Sequence, residues 1–400
     1  MDPSPATPAT VSHPLRADWL PGLLAGLVLV ATSVAGFFLT LHLKDGLGFS
    51  GLQIGLLYAL QAAMGVLAAL PAGLGNDRLT SRTLVGVGLL GQALGLWGMG
   101  AARAYPLFLL VFVVYSLSNW VFKLSLDVQV LKTDCGERTG ARLGLYQSLR
   151  YGLLAVGTVA TGYLLARLDF TWTMFAVAGL SALLAGLALA LPPTRVARVR
   201  LQDYRADLGD RRVLLFALWL FLFTLHWGAE TTSYGLFLRV DLGLGLEGIG
   251  WYLAVEYAAI IPAVLWAGRR ACDLPHLRRL AVLGLLASGL GHVGMVFEPV
   301  ALSVSFRALH GLGDGIMLIV MYFGIARLFA LERLGGNTGF INTCTMLGFV
   351  VGSLVFGPLG EACGYGLPLW TSGVLTLLLA LPLVVFRRAT QAALAGPPTA

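Results

Sequence analysis

Apolar runs of about 20 residues recur along the whole chain, separated by charged or turn-rich breaks. A helix of that length is what is needed to cross the ~30 Å hydrocarbon core of a bilayer. Only 12% of the residues are charged, whereas about 25% is usual in soluble domains. The pattern therefore predicts an all-α integral membrane protein. The net charge of +7 then reflects basic loops rather than nucleic-acid binding.

The breaks divide the chain into twelve predicted transmembrane helices. Their expected bounds are 19–41, 51–73, 83–102, 106–130, 142–166, 170–191, 212–238, 248–268, 279–297, 300–328, 338–359 and 367–386. With the N-terminus inside, the loops and tails on the cytoplasmic side carry twenty lysines and arginines, and those on the other side carry four. This positive-inside bias predicts a multi-pass inner-membrane protein with both termini cytoplasmic.

The two halves of the sequence repeat each other. A shift of 195 residues aligns 43–162 with the second half without a gap. Seven glycines coincide in this alignment: Gly48, Gly55, Gly73, Gly140, Gly144, Gly157 and Gly162 meet Gly243, Gly250, Gly268, Gly335, Gly339, Gly352 and Gly357. The shift spans six crossings, an even number, so the halves have the same orientation in the membrane.

This repeat predicts two parallel six-helix bundles. The expected organisation is a cytoplasmic tail at 1–18, a bundle at 19–191, a basic linker at 192–211, a second bundle at 212–388 and a tail at 389–400. The linker follows Pro192 and Pro193, which end the sixth crossing.

Two loops carry a family resemblance. The segment GLGNDRLTSR at 73–82 resembles the G-x-x-x-D-R-x-G-R-R loop of the major facilitator superfamily; Gly73, Asp77, Arg78 and Arg82 match, and Thr80 and Ser81 depart from it. The stretch ERTGARLGLYQSLR after the fourth crossing resembles the E-x-R-G-x-A-x-G loop of the same family. The resemblance implies alternating-access transport by two rocking bundles.

The resemblance also implies a cytoplasmic latch. An aspartate beside arginines, where one helix ends and another begins, can hold two helices together through an ion pair. The candidates are Gly73, Asp77, Arg78, Arg82, Glu137 and Arg138. The alternative is that these loop charges only follow the positive-inside rule.

Polar side chains on the fourth and fifth crossings are candidates for binding a polar solute, because charged groups inside a membrane face a bundle interior or a wet cavity. They are Asn119, Trp120, Lys123, Asp127 and Arg150. Lys123 and Asp127 lie one turn apart, so a self-neutralising pair is the alternative. Arg150 could instead extend towards the membrane surface.

The second half has more acidic residues within its predicted transmembrane helices than the first half. The seventh crossing adds His226, Trp227 and Glu230 to the predicted binding set, and the eighth holds an isolated Glu256. The tenth crossing holds Arg307, His310 and Asp314 at i, i+3 and i+7, which places all three on one helix face. Because a histidine next to a carboxylate can hold a proton near neutral pH, we predict proton coupling by Glu256, His310 and Asp314 with Arg307 beside them.

The arrangement is similar to that of lactose-permease-type proton symporters, in which acids and an arginine on the equivalent helices bind sugar and proton. Asp127, Arg150, Glu256, Arg307, His310 and Asp314 would be the counterparts. This chain departs from that pattern because Arg307 lies on the tenth crossing and the ninth has only His292, which we interpret as a packed or hydrogen-bonded histidine.

Three other functions compete with proton symport. A drug-efflux antiporter would usually carry a G-P-x-x-G motif on the fifth crossing, and the segment 152–162 has glycines but no proline. A divalent-metal carrier would need His226, Glu230, His310 and Asp314 to converge within about 5 Å. An intramembrane enzyme would want a GxSG or HExxH helix, and neither is present. The expected protein is therefore a monomeric, non-enzymatic carrier without a cofactor or resident metal, whose partners are a small solute, protons and lipid.

Overall fold

The described residues form twelve long helices. The computed structural model describes residues 14–36, 39, 42–133, 138–165, 167–194, 200–271 and 274–385. Most of the predicted tail 1–18, all of the tail 389–400 and Glu137 lie outside the described residues. In the first half the helices are α1 (Pro14–Gly36), α2 (Gly51–Arg78), α3 (Ser81–Ala101), α4 (Tyr105–Lys132), α5 (Thr139–Leu165) and α6 (Phe170–Ala188).

The second half repeats this order. Its helices are α7 (Arg211–Val240, with a π-helical turn at Glu230–Tyr234), α8 (Leu246–Arg270), α9 (Leu274–Gly294), α10 (Val300–Leu328), α11 (Leu334–Cys363) and α12 (Gly366–Val385). A short helix at Tyr204–Gly209, the linker helix, lies between the halves. The all-helical membrane fold predicted from the sequence is confirmed, whereas the exact bundle bounds stay predictions.

Length and composition agree with membrane insertion. Within the described ranges, nine of these helices are long and apolar enough to cross a bilayer, and α1, α5 and α9 are not among the nine. Helix α1 carries a shorter apolar stretch, Trp19–Ala35. Large apolar side chains also cover the outside: Leu183 is 75% exposed and Leu354 is 71% exposed. Such a surface is suited to lipid rather than to water.

Helix packing follows the sequence repeat. In the first half α1 packs on α5, α3 on α4 and α6, and α2 on α4; in the second half α7 packs on α11, α9 on α10 and α12, and α8 on α10. Matched glycines make equivalent contacts, since Gly157 meets Val30 of α1 and Gly352 meets Leu225 of α7. Val30 and Leu225 are themselves 195 residues apart, so the same close helix contact is used twice.

The connections between the first two helices of each half repeat as well. Gly48, between α1 and α2, has φ +67°, and Gly243, between α7 and α8, has φ +66°. Because a side chain strongly disfavours this left-handed region, glycine is required at both turns. This explains one of the seven glycine matches.

The halves meet along two helix pairs, α2 with α11 and α5 with α8. A Cβ at Gly73 would lie 2.4 Å from the Gly335 carbonyl oxygen, and a Cβ at Gly268 would lie 2.4 Å from that of Gly140. These contacts lie at the ends of the helices nearest the linker, which we call the linker side. Farther from it, an apolar cleft of about 500 Å³ separates α5 from α8 and is lined by Ala155, Val159, Trp251 and Val255 among others.

Candidate functional site

Glycines on α10 determine where the polar residues of the second half meet. A Cβ at Gly311 would lie 2.6 Å from the backbone oxygen of Glu256, and a Cβ at Gly313 would lie 2.1 Å from the backbone nitrogen of Ser288. Helices α8 and α9 therefore approach the α10 backbone directly. This contact brings Glu256 and Ser288 to the helix face that carries His310 and Asp314.

Helix α7 supplies its polar residues around an irregular turn. His226 and Trp227 occupy the last α-helical turn before the π-helical segment Glu230–Tyr234. Such π-turns are frequent at functional sites. Thr231 and Thr232 donate to the backbone oxygens of Trp227 and Gly228, at 2.9 Å each. These bonds to the preceding turn are of the kind that bends helices.

Asp314 is at the centre of this second-half cluster. Its Oδ1 accepts from the Ser288 hydroxyl at 2.7 Å, and its Oδ2 lies 3.3 Å from both His226 Nε2 and Trp227 Nε1. His310 Nε2 lies farther from the same oxygen, at 3.7 Å. The histidine that contacts Asp314 most closely therefore comes from α7 rather than from its own helix.

Arg307 joins the two other carboxylates of the cluster. One Nη donates to Glu230 and the other donates to Glu256, so the guanidinium bridges α7, α10 and α8. Its Cζ also lies 4.1 Å from the centre of the Tyr234 ring, where the negative ring face stabilises a cation. Two predicted proton-coupling residues, Glu256 and Arg307, are thus in direct contact.

His292, interpreted above as a packed or hydrogen-bonded histidine, also belongs to the cluster. Its Nε2 lies 3.3 Å from Glu230 Oε1, its Nδ1 lies 3.0 Å from the Ser372 hydroxyl, and its ring stacks on His310 at 4.2 Å between centroids. The available signal was weak: His292 follows Ser288 by four residues, so both lie on one face of α9. His226, Trp227 and Glu230, predicted to bind solute, thus share one cluster with the predicted proton-coupling residues.

The cluster contains more negative than positive fixed charge. Glu230, Glu256 and Asp314 supply three carboxylates, and Arg307 is the permanent cation among them. The difference is two negative charges when all three acids are ionised and the histidines are neutral. A protein interior disfavours such an excess strongly, so protons or another cation must balance it.

The first half holds a smaller polar group. Asp127 accepts a hydrogen bond from Tyr146 at 2.6 Å, and Arg150 Nη1 lies 3.6 Å from the same carboxylate oxygen. Arg150 Nη1 also lies 3.5 Å from the hydroxyl of Tyr322 on α10, which belongs to the other half. Because Asp127 and Tyr322 are 195 residues apart, equivalent positions of α4 and α10 meet at the pseudo-twofold axis.

The remaining predicted solute ligands lie nearer the middle of α4. Asn119 accepts from Gln92 at 3.1 Å, and the Trp120 indole packs against Gly65 of α2. Lys123 is half-buried and its Nζ lies 4.7 Å from the centre of the Trp120 ring. Among the described residues no carboxylate lies within 4 Å of Lys123, so the self-neutralising pair with Asp127 does not form.

Asp77 forms the contact expected of a latch, but with other partners. Its carboxylate accepts from the backbone N–H groups of Gly335 and Gly336, at 2.9 and 2.6 Å, where α11 begins. Lys132 Nζ lies 2.6 Å from Asp77 Oδ1. An acid at a helix N-terminus satisfies unpaired N–H groups and interacts favourably with the helix dipole. Asp77 thus joins the two halves directly.

The other predicted latch residues contribute less directly. Gly73 packs against α11, Arg78 and Arg138 are exposed, and Arg82 is half-buried. The ion-pair partner of Asp77 is Lys132 rather than any of these three arginines. Lys132 could have been suspected, since it aligns with Arg327 in the repeat and stands at the end of α4.

The linker also contacts Asp77. The Tyr204 hydroxyl donates to Asp77 Oδ2 at 2.7 Å. Burial raises the pKa of Tyr204, and the hydrogen bond to Asp77 raises it further, so the hydroxyl remains a donor at physiological pH. Asp207 binds Arg333 and Asn337 at 2.7 Å each. No sequence pattern indicated Tyr204.

Two pseudo-symmetric six-helix halves, in contact on one side and separated by a cleft farther away, define a class of membrane transporters with polar groups at the repeat interface. The sequence model described as "Major Facilitator Superfamily" matches residues 22–274 and 216–399. The chain therefore belongs to the Major Facilitator Superfamily, and the predicted resemblance is confirmed.

Individual relatives agree with this assignment. Membrane protein MosC of Rhizobium meliloti is 27% identical over 357 residues, which cover 85% of this chain and 82% of MosC. The human organic anion transporter MFSD10 (TETRAN) superposes with a TM-score of 0.73 at 15% identity, covering 93% of this chain and 100% of MFSD10. The E. coli fucose:proton symporter FucP gives 0.73 at 16% identity, covering 93% and 97%. The proton:xylose symporter XylE gives 0.72 at 12% identity, covering 92% and 95%.

Proposed function

We propose that this protein is a secondary active transporter that carries a small polar solute across the membrane by alternating access, coupled to proton symport. The observation that carries the proposal is that each half holds its own cluster of polar residues. Lys123, without a carboxylate partner in the described residues, lies in the first half, and an excess of carboxylates lies in the second. The fold is one in which proton symport is found, since XylE and FucP are proton symporters by name.

Alternating access is supported by the contacts between the halves. On the linker side, the glycines of α2 and α5 lie against backbone atoms of α11 and α8, so the two halves are in direct contact there. The cleft between α5 and α8 lies away from that contact. Rocking the halves about the central site would break the linker-side contacts and close the cleft. We propose that the linker side faces the cytoplasm of an inner membrane and that the carrier works as a monomer.

The solute would bind on α4. Lys123 offers an ammonium without a competing carboxylate, Asn119 offers an amide group, and the Trp120 ring lies beside both. Together these groups suit a small solute with anionic or hydroxyl groups and a flat or ring-shaped body. Asp127 and Arg150 lie deeper, in the contact with Tyr322, so they would respond to solute by releasing that contact.

The proton would be carried by Glu256. Among the described residues its partner is Arg307, which also binds Glu230, so a protonated Glu256 would leave Arg307 fully paired with Glu230. The groups facing this pair are His310 on α10, Tyr234 and Glu230 on α7, and Tyr257 on α8, with Tyr151 of α5 beside Tyr257. Neutralising Glu256 removes one charge from an interior that tolerates charge poorly, which would favour closure around solute.

Transport in proteoliposomes tests the proposal. A thermal-shift screen of sugars, nucleosides and organic acids first selects the solute that stabilises the purified protein most. An inward proton gradient should then drive its accumulation, and a protonophore should abolish it. Glu256→Gln should reduce gradient-driven uptake to the passive level while solute exchange across the membrane continues. Lys123→Gln should raise the KM about tenfold or more.

Two controls make the result interpretable. Glu298→Gln changes an exposed acid in the loop between α9 and α10, and it should leave accumulation unchanged. Accumulation that ignores the protonophore, or a Glu256→Gln protein that accumulates solute like the parent, would rule out proton symport through Glu256. Accumulation driven only by a gradient of the opposite sign would instead indicate an antiporter.

A further inference from the structure

The three histidines and the acids near them form a second candidate site that proton symport does not require. We propose that His226, His310 and Asp314 bind a divalent transition-metal ion of the Zn²⁺ class. Ligand geometry, the groups that orient the two imidazoles and the charge of the cluster all favour this site. It stands independently of the proposed solute and proton roles.

The geometry of the three side chains suits a metal ion. One ligand atom from each lies within 4.8 Å of the others. Asp314 Oδ2 is 3.3 Å from His226 Nε2 and 3.7 Å from His310 Nε2. Tetrahedral zinc with bonds of about 2.0–2.1 Å holds its ligand atoms roughly 3.4 Å apart. Two imidazole nitrogens and one carboxylate oxygen, with a position left for water, are a donor set that zinc and similar dications accept.

Backbone carbonyls orient both imidazoles for this role. His226 Nδ1 lies 2.5 Å from the Phe223 oxygen, and His310 Nδ1 lies 3.0 Å from the Ser288 oxygen. A carbonyl only accepts, so each Nδ1 carries a proton, and each ring in its neutral form presents the Nε2 lone pair. This is how metal-binding histidines are usually held by their second nitrogen. The Ser288 hydroxyl fixes the other oxygen of Asp314 in the same way.

The oriented Nε2 lone pairs repel the nearby carboxylate oxygens, and a bound cation would remove this repulsion. Each Nε2 then faces a carboxylate oxygen, lone pair against lone pair, unless a proton or a metal ion lies between them. His310 is fully buried, and its Nε2 lies 3.2 Å from Glu230 Oε1 and 3.7 Å from Asp314 Oδ2 without a hydrogen bond of good geometry to either. Unpaired buried polar atoms are rare and need an explanation. A bound dication would occupy this space and bond to all three atoms.

Charge balance distinguishes this triad from a second group of possible metal ligands nearby. Glu230, His292 and His310 also bring their ligand atoms within 4.8 Å, but Glu230 is already bound by Arg307. Asp314 has no arginine or lysine within 4 Å among the described residues, and its charge is opposed only by neutral or ionisable groups. The excess of two negative charges in the cluster equals the charge of one dication. The metal site is therefore assigned to His226, His310 and Asp314.

Equilibrium dialysis tests the site directly. The tag-free protein is dialysed in detergent against Zn²⁺ at neutral pH, and bound metal is measured by atomic absorption. One ion per chain should bind. Co²⁺ in place of Zn²⁺ should give the visible absorption of a four-coordinate site with nitrogen and oxygen ligands.

Variants locate the ion. Asp314→Asn and His226→Gln should each raise the Kd more than about 100-fold, and Ser288→Ala, which only orients ligands, should raise it about 10-fold. His276→Gln, at an exposed histidine near the start of α9, and His292→Gln should leave the Kd within about threefold, a change under ~0.7 kcal/mol. Size-exclusion profiles identical to the parent confirm that the variants fold.

Three outcomes would overturn the assignment: no binding tighter than about 0.1 mM, affinity unchanged by His226→Gln and Asp314→Asn, or affinity lost in His292→Gln but kept in His226→Gln. Dialysis involves no transport and no proton gradient. Failure here would thus leave the proton-symport proposal standing, and failure of that proposal would leave the metal site standing.

Discussion

The two main contacts between the halves are built from equivalent glycines, but the acid in the first has no counterpart at the equivalent position of the second. Gly73 of α2 packs against Gly335 and Gly339, whereas Gly268 of α8 packs against Gly140 and Gly144. The first contact adds the Asp77 carboxylate, which caps the start of α11. The position 195 residues after Asp77 is a cysteine, so the second contact has no equivalent acid. Close packing is thus symmetric, whereas a carboxylate at this repeat position is present in the first contact only.

We infer that glycine packing allows the linker side to close, whereas the Asp77 hydrogen bonds change the stability of the closed state. Backbone contact at glycine is an all-or-none condition, because a side chain there would overlap main-chain atoms that cannot move away separately. The Asp77 hydrogen bonds are instead exchanged for water when the halves part, so their net contribution is only a few kcal/mol. We expect substitutions of the packed glycines to open both contacts. Substitution of Asp77 should shift the equilibrium between the closed and open states of the linker side, in which both contacts take part.

The largest effect should come from Gly73→Val and Gly268→Val. Each places a branched side chain where a Cβ already lies 2.4 Å from a carbonyl oxygen, so the linker side should no longer close. Spin labels at Arg78 and Glu332, and at Arg138 and Arg269, measure the two contacts by electron–electron resonance in a cysteine-free background. All four positions are exposed.

Both label pairs should lengthen in both variants, because the halves move as bodies. Gly179→Val on α6 is the matched control, since nothing lies within 4 Å of a Cβ there. If Gly73→Val lengthens the α2–α11 distance and leaves the α5–α8 distance unchanged, the two contacts open independently. That result would contradict the expectation that the halves move as bodies.

Asp77→Asn should have an intermediate effect. The amide keeps the shape of the side chain but weakens its bonds to Gly335 and Gly336, which join the halves. Hydrogen bonds to a charged group contribute about 1.5–3 kcal/mol each, so weakening these two should lower the ratio of closed to open states roughly tenfold. The same label pairs report it. Asp203→Asn is the control, because that carboxylate accepts from Arg200 within the linker. No shift in Asp77→Asn would mean that packing alone holds the closed side.

The smallest effect should come from the linker contact of Asp207. Partial burial raises the pKa of Asp207, but the hydrogen bonds from Arg333 and Asn337 outweigh it and hold the pKa below its usual value. A lowered carboxyl pKa stabilises the docked linker above pH ~4, and that stability is lost as the pH falls below it. The contribution should stay under about 1 kcal/mol, because the pair is partly exposed.

The mobility of a spin label at the exposed Arg205 measures this docking. It should stay constant from pH 8 to pH 5 and rise below about pH 4, and Asp207→Asn should raise it already at pH 7. A label that becomes mobile as the pH rises through neutrality would contradict this account of the linker.

The sequence predicted much of the fold but few of the side-chain pairs. Helix spacing, the parallel repeat and the polar faces of α4 and α10 were readable, because apolar length and periodicity are properties of a single segment. Pairs one turn apart were not reliable guides. Lys123 is not paired with Asp127, and Asp314 lies closer to His226 of α7 than to His310 of its own helix. Lys132, Tyr146, Tyr204, His292 and Tyr322 were missed as partners.

By itself, then, the sequence determined that this protein is a membrane-embedded pair of six-helix repeats with charges that must face inward. Hydropathy and loop charge add up residue by residue along the chain, so no partner needs to be known. Only the tertiary structure decided that Asp77 caps α11, that Arg307 joins Glu230 to Glu256 and that two histidines from different helices meet at Asp314. Those contacts depend on distances of a few ångströms between residues that are far apart in the chain, which are set by how closely the glycines let the helices approach.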